Sequence, residues 1–313
     1  MTRYFPNSLH IAFHGIIDPP QQGYDHRLSC SSERLQRIIL ALRQAGYRLV
    51  TCSEYAGAYQ SGEKLATVSF DDCYLNIEKA IQTLRALGVV GTLFPIVCTL
   101  QGKLPPNRRL TLAIEQTGPT AVQSWLMRYF DETPYAQLIG NPEWPAPGPF
   151  QNDQGVIKQL KTVWNCLIPV EKLLVASNHL AAEFLVGINE PELCRQTFLG
   201  LDELKLASSM GMEIGSHTVN HVLLENQSPI NCHREVKESV ETLAVMLDQE
   251  VTSLGLPYGG DVVGRHVLDA AQSNNVSLCN YREWHLPEKP LTDNSCTIID
   301  RLDHNLANQV LPI

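Results

Sequence analysis

Short apolar runs alternate with amphipathic stretches along most of the chain, and this alternation predicts strands separated by helices. The apolar runs that we interpret as strands share β-prone residues and end near glycine or polar residues: LHIAF (9–13), YRLVT (47–51), ATVSF (66–70), VVGTLFPIV (89–97), MEIGSH (212–217), VTSLGLPYG (251–259), VSLCNY (276–281) and CTIIDRL (296–302). Strands that alternate with helices favour a parallel sheet covered by helices. Seven to eight such units predict an α/β fold, a (β/α) barrel that is either complete or distorted.

The helical stretches carry their own start and stop signals. In SSERLQRIILALRQAG (31–46), Ser31 or Ser32 can cap the first turn. Apolar residues then recur at helical spacing, and Gly46 ends the pattern. The stretch NIEKAIQTLRALG (76–88) has the same design and also ends at a glycine.

One region interrupts the alternation. Between residues 99 and 200 the sequence shows helical patterns and a segment rich in Pro, Gly and Trp, but no convincing strand. We therefore predict one domain over residues 1–313, with a helical insertion at 99–200. Loops at the carboxyl ends of barrel strands usually shape the site, so the insertion is interpreted either as a lid or as a packing or dimerisation element. A dimerisation element there would make the protein a homo-oligomer.

Composition limits the classes of function. Hydrophobic residues make up 44% of the 313 positions, enough for a large core, and the net charge of −9 disfavours binding to nucleic-acid phosphates. The nine cysteines contain no C-x-x-C pair and suit free thiols in a reducing compartment. The first twenty residues lack an unbroken apolar core, and no apolar stretch is long enough to span a membrane. We therefore expect a cytoplasmic protein.

Two adjacent carboxylates end the strand in TVSFDDCYLN (67–76). Asp71 and Asp72 repel each other, and removing either from water is costly unless a cation or a partner compensates. His217 and His221 follow another short apolar strand, four residues apart, so that on one turn of helix both rings face the same way. Two histidines and one carboxylate with open positions are typical of a hydrolytic or redox metal site.

At this point the sequence resembles the polysaccharide deacetylases, carbohydrate esterase family 4, also called the NodB-homology family. SFDDCY (69–74) resembles the first motif of that family, EIGSHTVNH (213–221) resembles the second, and LGLPYGG (254–260) resembles the third. The flanking segments LHIAFHGI (9–16) and LRALGVVGTLF (84–94) also resemble family segments. The resemblance covers about 9–98 and 197–305 and leaves the insertion outside.

The resemblance implies roles for individual residues. It implies one divalent metal, zinc in most of the family with cobalt or nickel as alternatives, bound by Asp72, His217 and His221. Asp71 would then be the catalytic base, which takes a proton from the attacking water. The third motif would place the backbone N–H of Tyr258, together with Pro257, beside the oxyanion or the substrate.

The chain also departs from the family pattern. Cys73 occupies a position that is usually glycine, and we interpret it as a small buried residue in preference to a ligand. The third motif lacks the arginine that orients the base, so Arg301 and Arg265 are candidates for that task.

The general acid is a choice between two histidines. LDH (302–304) resembles the last motif, L-x-H, and would make His304 the acid; His14, at the end of the first strand, is the alternative acid or substrate contact. Trp284 is a candidate hydrophobic wall for the acyl group.

The sequence thus predicts a metal-dependent hydrolase that removes an N-acyl group, most simply acetyl, from an amino sugar or a related intracellular amide. Its partner would be a small molecule or a carbohydrate. A metal-binding protein on the same fold with impaired catalysis is the alternative. A non-haem iron oxygenase would use two histidines and a carboxylate too, but the matching letters HRE (233–235) lie in a predicted helix, and the parallel α/β pattern disfavours it.

Overall fold

Seven strands form a mostly parallel sheet that curls into a nearly closed barrel. The computed structural model describes residues 7–18, 29–141, 153–260, 263–282, 291–293 and 296–311. The strands, in chain order, are β1 (Ser8–Phe13), β2 (Gly15–Ile16), β3 (Ser29–Cys30), β4 (Arg48–Leu49), β5 (Leu65–Asp72), β6 (Thr92–Pro95), β7 (Glu213–Ile214), β8 (Ser253–Gly255), β9 (Ser277–Arg282), β10 (Leu291–Asp293) and β11 (Cys296–Asp303). The barrel order is β7-β6-β5-β1-β11-β9-β8, with β4 beside β5 and β10 antiparallel to β11. The predicted distorted (β/α) barrel is confirmed.

The barrel closes just beyond β7. The Ser216 N–H donates to the Ser253 carbonyl at 2.9 Å, and the Gly255 N–H donates to the Ser216 carbonyl at 2.8 Å. These two bonds connect the last residue before His217 to strand β8. The carboxyl ends of β5 and β8 therefore lie on the same rim as the second motif.

Helices surround the sheet. They are α1 (Ser32–Gln44), α2 (Cys52–Ala58), α3 (Glu78–Ala86), α4 (Val97–Leu100), α5 (Pro106–Thr117), α6 (Pro119–Tyr129), α7 (Pro134–Gly140), α8 (Gly155–Thr162), α9 (Val170–Phe184), α10 (Glu190–Thr197), α11 (Leu201–Ser209), α12 (Pro229–Leu247), α13 (Arg265–Ser273) and α14 (Ala307–Val310), with a π-helix at Val163–Leu167. Of the two predicted caps of α1, Ser31 is the one that accepts from the Arg34 N–H, at 3.1 Å. Among the described helices, none combines the length and the apolarity that crossing a bilayer would require.

The insertion is helical in its described parts, 99–141 and 153–200. It contributes α5 to α10 and the π-helix, and its only described sheet-like contact is a single bridge from Phe198 to Tyr74. Its buried apolar side chains form one cluster with those of α12, α13 and strand β8. Because the insertion shares a core with the barrel, it packs against the sheet as part of the same body. The division at 99 and 200 itself stays a prediction.

Some strands differ in length from the prediction. The strand predicted at 47–51 is reduced to the two residues of β4, whereas the strand predicted at 66–70 continues through Asp72. Strand β5 pairs with β1 along the whole of β1, from Ser8 opposite Leu65 to Phe13 opposite Phe70. This register places the end of β1, where His14 follows, beside the two aspartates.

Candidate active site

Asp72, His217 and His221 come together at the rim of the barrel, at the ends of different strands. His221 Nε2 lies 3.1 Å from Asp72 Oδ1, and His217 Nε2 lies 3.5 Å from the same oxygen. All three ligand atoms lie within 4.8 Å of one another, and all three residues are buried. In the part of the chain that the structure describes, these residues are the one group of His, Cys, Asp and Glu side chains with the geometry to hold a metal ion.

The backbone around this group is strained. Eight described non-glycine residues have positive φ, and five of them lie in or next to the three motifs: Asp72, Cys73, Thr218, His221 and Tyr258. The left-handed conformation costs free energy for residues other than glycine, and such residues cluster at functional sites. The φ of +54° at Cys73 also gives a physical reason for the glycine that the family usually carries there.

His217 is held in the orientation that a metal ligand needs. Its Nδ1 donates to the Gly255 carbonyl at 2.8 Å, which leaves Nε2 directed toward Asp72. Gly255 leaves no room for a side chain, because an added Cβ would lie 2.9 Å from the Phe94 ring and 3.1 Å from His217 Nδ1. Burial lowers the pKa of His217 to about 4, despite the opposing charges of Asp71 and Asp72. The ring is therefore neutral near pH 7, as metal ligation requires.

His221 has a different environment. Its Nδ1 lies 3.2 Å from the Tyr258 hydroxyl and 3.2 Å from the side-chain amide of Asn107. The rings of His221 and Tyr258 meet edge to face, with centroids 4.8 Å apart. Tyr258 therefore contacts a predicted metal ligand through its side chain, in addition to the backbone role that the sequence suggested. Pro257, the residue before it, is buried.

Asp71 forms a bidentate ion pair with Arg301. The guanidinium donates to Oδ1 at 2.5 Å and to Oδ2 at 3.0 Å, and Arg301 is itself fully buried. It is fixed further by bonds to the Ser69 hydroxyl and the Cys279 carbonyl, at 3.0 and 3.1 Å. Of the two arginines considered for orienting the base, Arg301 is the one that reaches Asp71.

Arg265, the other candidate, lies on the surface. Its side chain is 70% exposed and pairs with Asp269 one turn along α13. An exposed pair of this kind contributes little to stability and stands apart from the rim.

The charges around Asp71 keep it ionised. Burial alone raises the pKa of Asp71, but the Arg301 guanidinium, with smaller effects from His217 and His14, outweighs burial and lowers the pKa below its ordinary value. The pKa of Asp72 is lowered too, since the charges of His221 and His217 outweigh the effect of burial. Both carboxylates are therefore negative at neutral pH.

Cys73 stands apart from the ligand group. It is 1% exposed, its Sγ lies 4.0 Å from the Phe70 carbonyl, and burial raises the pKa of its thiol well above the ordinary value. A protonated thiol is a poor metal ligand. This agrees with the interpretation of Cys73 as a small buried side chain.

The two candidate acids lie at neighbouring strand ends. His14 follows β1, and His304 follows β11, whose residue Asp303 pairs with Ala12. The His304 ring lies against Phe13, with centroids 5.3 Å apart, and its Nδ1 is 3.4 Å from Asp303 Oδ1. His14 is close enough to lower the pKa of Asp71, Asp72 and His304. Trp284, the predicted hydrophobic wall, lies outside the described residues.

Sequence reasoning missed two side chains that support the site. Glu235, one of the letters in HRE, accepts from the Val219 and Asn220 N–H groups at 3.1 and 3.0 Å and so shapes the loop between the two histidines. Asn107 reaches His221 from helix α5 of the insertion. Glu235 lies on the buried face of α12 beside Val236, so a carboxylate at helical spacing with apolar residues was the signal that could have found it. Asn107 lies in no motif and carried no signal.

Comparison with known proteins agrees with this geometry. Residues 169–278, which contain His217, His221 and Tyr258, match the polysaccharide deacetylase family model. This part of the chain is similar to the polysaccharide deacetylases. The matched residues begin after the Asp71-Asp72 pair, which the fold brings to the two histidines.

Solved structures share this fold at low sequence identity. The Streptococcus pyogenes deacetylase PplD in complex with acetate is 14% identical, with 99% of each chain covered and a TM-score of 0.55. A de-N-acetylase from Aggregatibacter actinomycetemcomitans is 16% identical, with 95% of each chain covered and a TM-score of 0.53. A polysaccharide deacetylase from Bacillus cereus is 14% identical with a TM-score of 0.53; the match covers 95% of this chain but 64% of that one. Comparison with curated proteins finds no matching relative.

Proposed function

We propose that this protein is a metal-dependent hydrolase that removes an N-acetyl group from an amino sugar or a related amide. The observation that carries the proposal is the arrangement at the rim: an Asp-His-His group with ligand atoms within 4.8 Å, beside a second aspartate held by a buried arginine. The family-model match over residues 169–278 supports a carbohydrate deacetylase. The two similar solved structures described as a deacetylase with acetate and a de-N-acetylase support acetyl as the group removed.

The donor set fits a divalent transition metal. Two neutral imidazoles and one carboxylate, with positions left open, are the ligands of catalytic zinc sites. His217 presents Nε2 because its Nδ1 is bonded to a carbonyl, and Asp72 is ionised. We propose Asp72, His217 and His221 as the ligands of zinc, with cobalt or nickel able to substitute.

Each residue beside the metal would have a separate role in hydrolysis. A divalent cation bound there supplies a Lewis acid that polarises the acyl oxygen and makes the attacking water more acidic. Asp71 accepts the proton of that water as it attacks the acyl carbon, and Arg301 keeps both carboxylate oxygens in place. The backbone N–H of Tyr258 would donate to the oxygen that becomes negative, and Pro257 would line the same side.

The leaving amine needs a proton donor. We propose His304 for this role, since its position in LDH (302–304) corresponds to the L-x-H motif, and His14 as a substrate contact that lies between His304 and the aspartates. Burial lowers the pKa of His304, and the neighbouring Asp303 carboxylate opposes that effect. The Asp303 charge does not outweigh burial, so the pKa of His304 stays below its ordinary value.

The thiols suggest the compartment. All nine cysteines are free and buried, and none pairs with another in a disulfide. Nine unpaired thiols suit a reducing compartment, so we propose a cytoplasmic enzyme that acts on a small or carbohydrate substrate there.

Metal removal tests the proposal. The protein stripped with a chelator is expected to release no acetate from N-acetylated amino sugars or their oligomers, and one equivalent of zinc or cobalt is expected to restore release. Acetate is measured with a coupled assay across a panel of such sugars. Equal acetate release by the stripped and the reloaded protein would refute metal dependence. No release from any N-acetylated sugar by the loaded protein would refute the proposed substrate class.

A further inference from the structure

The insertion contributes a side chain to the metal site. Asn107 is the second residue of helix α5, and its amide lies 3.2 Å from Nδ1 of His221. It also hydrogen-bonds the side chain of Tyr258, the other neighbour of that ring nitrogen. An insertion that served only as a cover or a dimer surface would have no reason to place an amide against a ligand.

The chemistry of the ring determines which amide atom must face it. If His221 binds a cation through Nε2, Nδ1 carries the proton and needs an acceptor. The Asn107 oxygen is buried and has no hydrogen-bond partner among the described residues. Turning the amide by 180° exchanges its oxygen and nitrogen without moving any other atom. The oxygen then lies between two donors, His221 Nδ1–H and the Tyr258 hydroxyl.

The start of α5 is anchored firmly enough to hold this contact. The Trp164 indole N–H, from the π-helix, donates to the Pro106 carbonyl at 2.9 Å. Glu190 accepts from the Leu104 N–H at 3.1 Å and pairs with Arg109 at 2.8 Å. The residues on both sides of Asn107 are therefore tied to other parts of the insertion, and the amide is held where it is.

We propose that Asn107 is a positioning residue, the acceptor that keeps His221 in the Nδ1-protonated form with Nε2 free for the metal. The inference rests on the proposed function, because it concerns the same metal site. It makes the insertion a required part of that site, whatever else the insertion covers.

Metal affinity tests the role of Asn107. Asn107→Leu keeps the shape of the side chain but removes the acceptor, and it is expected to weaken Co²⁺ binding by about 10–100-fold. Asn107→Asp keeps an acceptor oxygen and is expected to bind Co²⁺ within about threefold of the wild type, or more tightly. The dissociation constants are measured by competition with a chelator, and the Co²⁺ absorption spectrum reports the geometry of the ligands.

Thr111 provides the matched control. Its hydroxyl donates to the Asn107 backbone carbonyl at 2.9 Å, so Thr111→Val perturbs the same helix without touching the His221 ring. We expect this variant to bind Co²⁺ like the wild type. If Asn107→Leu does not fold, as judged by thermal unfolding, Asn107→Ser replaces it because the shorter side chain cannot reach Nδ1.

The outcomes separate this inference from the proposed function. A wild type that binds Co²⁺, with a folded Asn107→Leu variant that binds it equally well, would overturn the role of Asn107 alone. Equal weakening by Asn107→Leu and Asn107→Asp would show that the site needs the amide's packing and not an acceptor, and would also overturn it. A wild type that binds no Co²⁺ would refute the metal site itself and this inference with it.

Discussion

Replacing Asp71 with asparagine is expected to lower turnover by about 10²–10⁴-fold, the usual contribution of a general base. The amide keeps the shape of the side chain but cannot take a proton from the attacking water. Because Asp72, His217 and His221 are unchanged, the metal content should stay that of the wild type. Acetate release and elemental analysis on the same preparation measure the two quantities together.

The surface substitution Asp202→Asn, in the first turn of α11, serves as the control for Asp71→Asn. Asp202 is exposed and lies outside the three motifs, so neither turnover nor metal content should change. Full activity of Asp71→Asn would contradict the assignment of the base and would favour a protein that binds its ligand without hydrolysing it. Loss of the metal from an Asp71→Asn variant that is folded, as judged by urea unfolding, would instead place Asp71 among the ligands.

Replacing Arg301 with methionine is expected to lower the free energy of unfolding by about 3–5 kcal/mol, because it leaves a buried carboxylate without its partner. Arg301 is fully buried, and its bonds to Asp71, Ser69 and the Cys279 carbonyl are lost together. Without the guanidinium, the burial effect is no longer outweighed, and the pKa of Asp71 should rise. Urea unfolding measures the loss, and the activity profile should shift toward higher pH.

Two variants make the Arg301 result interpretable. The double substitution Asp71→Asn with Arg301→Met removes the charge together with its partner, so part of the lost stability should return. Arg265→Met removes the other candidate arginine, which is exposed, and should change stability by less than about 1 kcal/mol. An Arg301→Met variant as stable as Arg265→Met would show that the buried pair does not hold the base.

The features of the fold and the site that could be predicted are those that depend on local sequence patterns. Alternating apolar runs predicted the barrel, and the pair Asp71-Asp72 with His217 and His221 predicted which side chains meet. The helical turn predicted from the spacing of the two histidines is wrong, because they lie in a loop after β7 in which Thr218 and His221 have positive φ. Each of these signals lies within a few residues of sequence. The carboxyl ends of parallel strands share one rim, so the fold then brings the separate motifs together.

The remaining parts depend on contacts between distant positions. Arg301 and Asp71 are 230 residues apart in the sequence. The sequence could therefore name Arg301 only as one of two candidates for orienting the base. Asn107 meets His221 across 114 residues of sequence, a contact that no periodicity encodes. The predicted bounds of the short strands β4, β7 and β8 were also inaccurate. Pairing with neighbouring strands decides where each strand ends, and the local sequence does not show that pairing.

The most direct test of the account is the metal content of the purified wild type, measured by elemental analysis beside His217→Ala and His179→Ala. His217 lies in the ligand group, whereas His179 is an exposed residue of the insertion. The account predicts about one divalent transition metal per chain in the wild type and in His179→Ala, and its loss in His217→Ala, as a three-ligand site requires. If none of the three proteins contained metal, even after incubation with zinc or cobalt, Asp72, His217 and His221 would not form a metal site and the proposed hydrolysis would be contradicted.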